Sequence, residues 1–493
     1  MKPDRPDGTH YGASPPTRRD FFSRMVDGLH GTALATLLAG DLLSTNLARG
    51  ASADPASGVH DLTPKTPHFK ARAKSVIFLF MNGGPSQVDT FDPKPALDRY
   101  AGKTPTMDLA TDLASPEANG GILPSPFKFA QHGKSGLWVS DLLPHTAECV
   151  DDLAVIRSMY GEHFNHVQAL FLMQTGRTIA TKPCLGSWVT YGLGTENQNL
   201  PAFVVLDDPK GFPVNGIANW QSSFLPALYQ GTRVHSEGAP VLNLEPPSEI
   251  PASIVEAERA LLSHMDEAHR RARPQEPDLD GRIAGYELAA RMQLAASKVL
   301  DVSKESTATK ELYGLNDPVT ESYGKRCLMA RRMVESGVRF VQIYMEKIVW
   351  DSHSDIVGGH GQCCARTDKP VAGLLKDLKQ RGLLDETLVI WGGEFGRMPV
   401  AQVSNGAPPG RDHGPSGFSI WMAGGGIKGG TVYGATDELG HKAVEDRVSV
   451  QDFHATVLHS LGLNFRDLTY ERHGLRERLT EQFPARVVHE VFS

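Results

Sequence analysis

Beyond a modest apolar segment near its start, this chain has no run of the roughly 18 apolar residues that a membrane-crossing helix needs. Its main body is therefore expected to carry no stable membrane span. Positive charge is also short. The 50 Lys and Arg stand against 57 Asp and Glu, a net charge of −7, which leaves no basic footprint for a nucleic acid. Cysteine is scarce. Cys149, Cys184, Cys327, Cys363 and Cys364 show no paired zinc-ligand spacing, and five cysteines in 493 residues are not a disulfide framework. One pair stays open if the chain is exported. Internal repeats and low-complexity tracts are missing as well. What is present is ordinary for a soluble protein, 40% hydrophobic and 22% charged residues. A chain of 493 residues can bury a large core and could hold more than one domain.

The first residues carry an address. Thr17-Arg18-Arg19-Asp20-Phe21-Phe22 sets a twin arginine before two aromatics, an apolar segment from Leu29 to Leu47 is broken by Gly40 and Asp41, and Ala51-Ser52-Ala53 offers a small-x-small cleavage site. A charged start, a short apolar middle and a small-residue end describe a signal peptide rather than an anchor. The expectation is a twin-arginine signal over residues 1–53, read by the export machinery that carries folded and often metal-loaded proteins. The mature domain would then span 54–493 on the periplasmic or extracytoplasmic side. An amphipathic helix with a chance arginine pair is the alternative.

Along the rest, apolar runs alternate with helical periodicity. Strands are expected at 75–81, Leu153 to Ile156, Pro201 to Leu206, Val338 to Tyr344, 387–391 and Phe418 to Ala423. Helices are expected from Leu143 to Leu153, Asn165 to Gln174, Ile254 to Arg271, Arg282 to Leu300, Tyr323 to Ser336, Asp368 to Arg381 and Ser449 to Leu463. Residues 96–136, rich in Pro, Gly and polar side chains, read as a long excursion, and 250–335 as a helical insertion. Strand–helix alternation predicts an α/β fold with a mostly parallel sheet and helices on both faces.

Three of these strands run into unusually polar loops. Ser75 to Pro95 passes from SVIFLFM to Asn82, two glycines, Ser86, Asp89 and Asp92. Val338 to Asp355 leads to Asp351 and His353, which would face one way on an extended segment. The run before Trp391 delivers Glu394 and Arg397 in WGGEFGRMP, and GRDHGPSGF adds Arg411, Asp412 and His413. Ligand sites of open α/β sheets lie beyond the carboxyl ends of the strands. Asp, Glu, Asn and His together suit one divalent ion, with Zn²⁺, Mn²⁺, Fe²⁺ and Ca²⁺ all left open.

FLFMNGGPSQVDTFDPKP, SGLWVSDLLPH, LGSWVTYGLG, ARRMVESGVRFVQIY, WDSH, the segment from Asp368 to Pro399, GRDHGPSGFSIWMAGGGIKGG and VSVQDFHATVLHSLGL together resemble one family over nearly the whole chain. It is DUF1501, exported bacterial proteins distantly similar to sulfatases of the alkaline phosphatase superfamily. The resemblance implies a sulfatase-like sheet and a metal held by Asn82, Asp351, His353, Glu394 and His413. In sulfatases a Cys or Ser lies nine residues before a Thr-Gly pair at a helix start. Counting back from Thr175 gives His166, with His163 three residues earlier. His166 could act as ligand, base or nucleophile.

The function so expected is metal-dependent hydrolysis of sulfate or phosphate esters, the substrate being an anionic ester or a sulfated carbohydrate. His166, His163 and Arg397 would carry the chemistry, and Ser86, Arg411 and Asp412 would bind substrate. A non-catalytic exported binding or assembly protein is the rival. A metal-dependent isomerase or phosphotransferase is a third reading.

Overall fold

A computed structural model describes residues 61–104, 119–238, 250–273, 277–403, 406–481 and 483–493. The twin-arginine segment and its cleavage site lie outside the described residues. The chain divides into two compact units. The described part of the first, residues 250–265, is the start of a helix, Ala252–Ala272, with Ile254, Leu261 and Met265 exposed along it. The second, Gly50–Val241 with Asp266–Ser493, holds every residue singled out above as a site candidate.

Its centre is a 9-stranded sheet. In chain order the strands are β1 (Ser75–Phe80), β2 (Leu153–Tyr160), β3 (Phe203–Leu206), β4 (Thr232–Arg233), β5 (Phe340–Tyr344), β6 (Thr387–Gly392), β7 (Phe418–Ala423), β8 (Thr431–Tyr433) and β9 (Val448–Ser449). Their order across the sheet is β8-β2-β7-β6-β1-β5-β3-β4, with β9 also paired to β2. Every residue of β1, β6 and β7 is buried, as expected of strands covered on both faces. Each buried aliphatic side chain in them contributes about 1.5–3 kcal/mol against exposure.

Register decides where the loops go. Phe80 pairs with Tyr344 on one side and with Gly392 on the other, both parallel. The loops after β1, β5 and β6 therefore leave at one edge. β7 alone runs the other way, antiparallel to β6 and to β2. Its beginning lies at that same edge, and the GRDHGP loop that precedes it arrives there too. β2 and β3 run with the parallel set, so the turn after Tyr160 and the loop after Leu206 complete the ring.

The helices follow local rules with two exceptions. α1 (His166–Thr175) starts where the Asn165 side chain accepts the Val167 N–H and stops at Gly176, whose φ of 75° is left-handed. Next come α2 (Leu185–Leu193), α3 (Ala252–Ala272), α4 (Pro277–Leu300), α5 (Glu321–Glu335), α6 (Ile356–Gln380) and α7 (Val450–Ser460). A Ser449–Asp452 capping box opens α7. α5 packs on β5 and β1, so this part of the expected insertion belongs to the core.

The segment from Leu143 to Leu153 is not an α-helix. It is a 3₁₀ turn, Thr146–Asp152, in which Asp151 accepts the backbone N–H groups of Lys134 and Ser135. The strand that follows runs to Tyr160 because β7 and β9 pair with its second half. α6 begins at Ile356, well before Asp368. Its glycines disfavour a helix locally, but Asp355 caps it and His360, Cys363 and Cys364 are buried along it.

Candidate metal and active site

The edge shared by these loops gathers four side chains around the carboxylate of Asp351. Its Oδ1 lies 2.7 Å from Arg397 Nη2, 3.0 Å from His353 Nε2 and 3.1 Å from His413 Nε2. Its Oδ2 is 3.3 Å from His166 Nε2. Glu394 closes the far side, its Oε1 2.7 Å from His166 Nδ1. The His413 ring stands 4.4 Å from that of His166 and 4.5 Å from that of His353. Phe395 packs against His166 and His413. Thus Asp351, His353, Glu394 and His413 do converge, and His166 points into them from the first residue of α1.

Backbone geometry explains the precision. Arg397 and His413 are cross-strand partners in a short antiparallel pairing, Gly396↔Gly414 and Arg397↔His413. That pairing fastens the two loops to each other. Gly83, at φ +114°, has no room for a Cβ, which would sit 2.6 Å from Asp351 N. Its own N–H donates to both oxygens of Glu394, at 2.9 and 3.1 Å. The Asp351 loop and the Glu394 carboxylate are thereby held against one glycine.

Arg397 donates to the carbonyls of Gly84 and Arg411, at 3.0 and 3.2 Å, and also to that of Gly83. With Asp351 as counter-ion it is a buried clamp, as a guanidinium removed from water must be. It is not a cation held out to a ligand.

Protonation is divided between the histidines. Burial works against the charge on His166, but the Asp351 and Glu394 carboxylates outweigh it and raise its pKa to about 9. Burial pushes His413 down to about 4, Asp351 drawing it upward and Arg397 and His166 reinforcing the fall. The Asp351 carboxyl is buried, yet Arg397 and the three imidazoles hold it well below the usual carboxylate range. His353, partly open to solvent, is raised against its own burial by Asp351.

Two sets of ligand atoms lie within 4.8 Å of one another, His166–Asp351–His413 and His353–Asp412–His413. Within them His413 Nδ1 is buried with no hydrogen-bond partner, and His166 Nε2 has only the 3.3 Å ion pair to Asp351. An orphaned buried nitrogen needs an explanation, and a cation coordinated by nitrogen and oxygen supplies one. The residues fit a divalent ion.

Other expected members lie elsewhere. Asn82 gives its amide N–H groups to the carbonyls of Met345 and Glu346, at 3.0 and 3.2 Å, and its oxygen takes the Met345 N–H. It splices the ends of β1 and β5 and stands in neither ligand set. Arg411 forks the Asp89 carboxylate at 2.6 and 3.1 Å, and Ser86 donates to the same group at 2.6 Å. These two substrate-binding candidates are therefore spent on a buried structural pair. His163 accepts the Asn165 N–H at 3.0 Å and stacks on Phe164, apart from the cluster. Asp412, by contrast, stays at the cluster, where its Oδ1 accepts the His413 N–H at 2.7 Å and lies 3.8 Å from His353 Nδ1.

His360 was not expected. Buried on α6, it accepts the Ser86 N–H at 2.9 Å and lies 3.0 Å from Ser352 Oγ, between Asp351 and His353. Burial lowers its pKa to about 3, so it is neutral. Gln402 holds His353 Nδ1. No sequence spacing announces either residue.

Fold and cluster together define an α/β protein with an imidazole–carboxylate centre at the carboxyl edge of a mostly parallel sheet. Within that class the chain belongs to the DUF1501 family, described as a protein family of unknown function, whose model matches residues 73–492. No curated protein matches the chain. Solved structures share a weak likeness. The lipoteichoic acid synthase LtaP from Listeria monocytogenes is 9% identical over 84% of this chain and 76% of that one, at a TM-score of 0.32. The PsFucS1 sulfatase from Pseudoalteromonas sp. is 11% identical over 88% and 72%, at 0.31. A protein in the alkaline phosphatase superfamily from Vibrio parahaemolyticus is 9% identical over 83% and 72%, at 0.34. Among the described residues no helix is long and apolar enough to cross a membrane.

Proposed function

We propose that this chain is an exported, metal-dependent hydrolase of sulfate or phosphate esters. The observation that carries the reading is the pair of ligand sets that meet at His413, with the buried nitrogen His413 Nδ1 left unpartnered. His166, Asp351, His353, Asp412 and His413 are the residues that would hold the metal. An imidazole-rich set favours Zn²⁺, Mn²⁺ or Fe²⁺ over Ca²⁺. Bound there, the ion supplies a Lewis acid for the ester's anionic oxygens.

The chain's own groups do the rest. Arg397 keeps Asp351 ionised and fixed. Glu394, anchored by Gly83, orients the His166 ring through Nδ1. The first turn of α1 directs the positive end of its dipole to the same edge, which favours an anionic group. Export by the twin-arginine route, to the periplasmic or extracytoplasmic side, belongs to the proposal and rests on Arg18-Arg19 and Ala51-Ser52-Ala53.

The test is metal analysis of protein exported in a bacterial host, followed by a screen of sulfate and phosphate esters with and without chelator. Bound metal and chelator-sensitive hydrolysis are expected. Metal-free protein that takes up no Zn²⁺, Mn²⁺ or Fe²⁺ on titration ends this reading.

A second reading, a non-catalytic binding or assembly protein, is favoured by one observation. Both Glu394 oxygens accept the Gly83 N–H, so this carboxylate is engaged as a structural acceptor.

A further inference from the structure

We propose that Phe212, Val167 and Lys347 form a sugar-binding rim beside the metal cluster, with Phe212 the platform on which a pyranose ring stacks. The inference rests on the ester-hydrolase reading and names the organic part of its substrate. Phe212 lies in the loop after β3 and is 41% exposed, and Val167, the residue after His166, is 40% exposed. Lone exposed apolar side chains are ordinary. What sets this one apart is how firmly it is held.

One side of the ring faces the Arg233 guanidinium at 4.3 Å. That group is fixed by two 2.7 Å hydrogen bonds to Asp207. The next residue, Asp208, accepts from Arg326 at 2.6 Å and Arg366 at 3.1 Å, and Arg366 reaches on to Glu346 at 2.7 and 2.9 Å. A single guanidinium thus ties the Phe212 loop to the segment that leads into Asp351. The Lys347 N–H donates to Phe212 O at 2.9 Å, and Asn215 Nδ2 donates to Val167 O at 2.9 Å. The loop is pinned on one side to the Asp351 approach and on the other to the start of α1.

Lys347 itself is exposed and sits at φ 45°, a conformation that residues other than glycine rarely adopt. Asn82 holds it there through its carbonyl. A firmly held aromatic face, an aliphatic residue next to His166 and an exposed lysine four residues before Asp351 match one ligand chemistry. The apolar C–H face of a pyranose packs on the ring, its sulfate or phosphate reaches the cluster, and a further anionic substituent meets Lys347. A preformed platform keeps the entropic cost of such stacking low.

The experiment uses the mature chain, metal-loaded, on an array of sulfated, phosphorylated and neutral glycans, with inorganic sulfate as competitor. Wild-type protein is expected to bind at least one anionic glycan. Phe212→Ala should weaken that binding about tenfold, as loss of one aromatic contact does, while Phe212→Tyr retains it and metal content stays unchanged. Equal binding by Phe212→Ala, or no binding to any glycan by wild type, overturns the rim. If the protein holds metal and cleaves simple esters but binds no glycan, the rim alone falls. If it binds glycans through Phe212 yet takes up no metal, the hydrolase reading falls and the rim stands.

Discussion

Two buried aspartate–arginine pairs lie at the same edge of the sheet and have opposite characters. Asp89 and Arg411 are both fully buried, joined by two hydrogen bonds, and two further donors of Arg411 go to the carbonyls of Met398 and Pro124. Asp351 and Arg397 are joined by one short contact, and the same carboxylate faces three imidazoles, one of which, His413, keeps a buried nitrogen without a hydrogen-bond partner. The first pair is closed on itself. The second is a hub with unused valence. A buried charge pair alone is therefore no sign of a site, and unsatisfied atoms around it are the better one.

The largest expected effect breaks the closed pair. Asp89→Ala leaves the Arg411 charge buried alone, and should cost about 3–5 kcal/mol of stability in urea denaturation. An equal loss from Asp351→Ala in metal-free protein would erase the distinction. Next, Asp351→Asn should lower metal affinity by more than the about 10–100-fold that follows loss of an outer partner. Equilibrium dialysis with metal analysis reads this, and unchanged affinity would remove Asp351 from the centre.

A smaller effect appears in pH. Burial alone would raise the Asp89 pKa, but Arg411 holds it below its ordinary value, near 3.9 in an unfolded chain by the approximate reference scale. A depressed folded pKa means the pair's stabilisation is complete above the unfolded value. It is lost as pH falls toward the folded one. Urea midpoints taken from about pH 6 down to about pH 3 should therefore drop, and Asp89→Asn should flatten that slope. Smallest of the set, His360→Gln should weaken metal binding by about tenfold, through Ser352 and not by ligation. A change in affinity that merely tracks lost thermal stability would make His360 a packing residue only.

The sequence makes the site's location legible because strands buried on both faces read as unbroken apolar runs, and whatever polar residues follow must emerge at an edge. SVIFLF and TLVIWG show this. Asp351, His353, Glu394 and His413 follow from that logic, and His166 from its place before Thr175-Gly176. Partner choice is not legible. Nothing in GRDHGP says that Arg411 will turn to Asp89, more than three hundred residues earlier in the chain, instead of to a ligand. Asn82 likewise looks like a ligand until β5 comes alongside to claim its amide. The early start of α6 is hidden for a different reason, since its glycines argue locally for a loop and only burial of that face reverses the balance.

The Arg397–His413 pairing also bears on how such a centre diversifies. It closes the base of an excursion whose two ends are both site residues. Closing a longer loop costs only slightly more than closing a short one. Insertions or deletions between Val403 and Ala407, beyond the Gln402–Gly410 pairing, can accordingly accumulate without moving either end. Descendants of one ancestor could keep an inherited centre while rewriting the wall beside it.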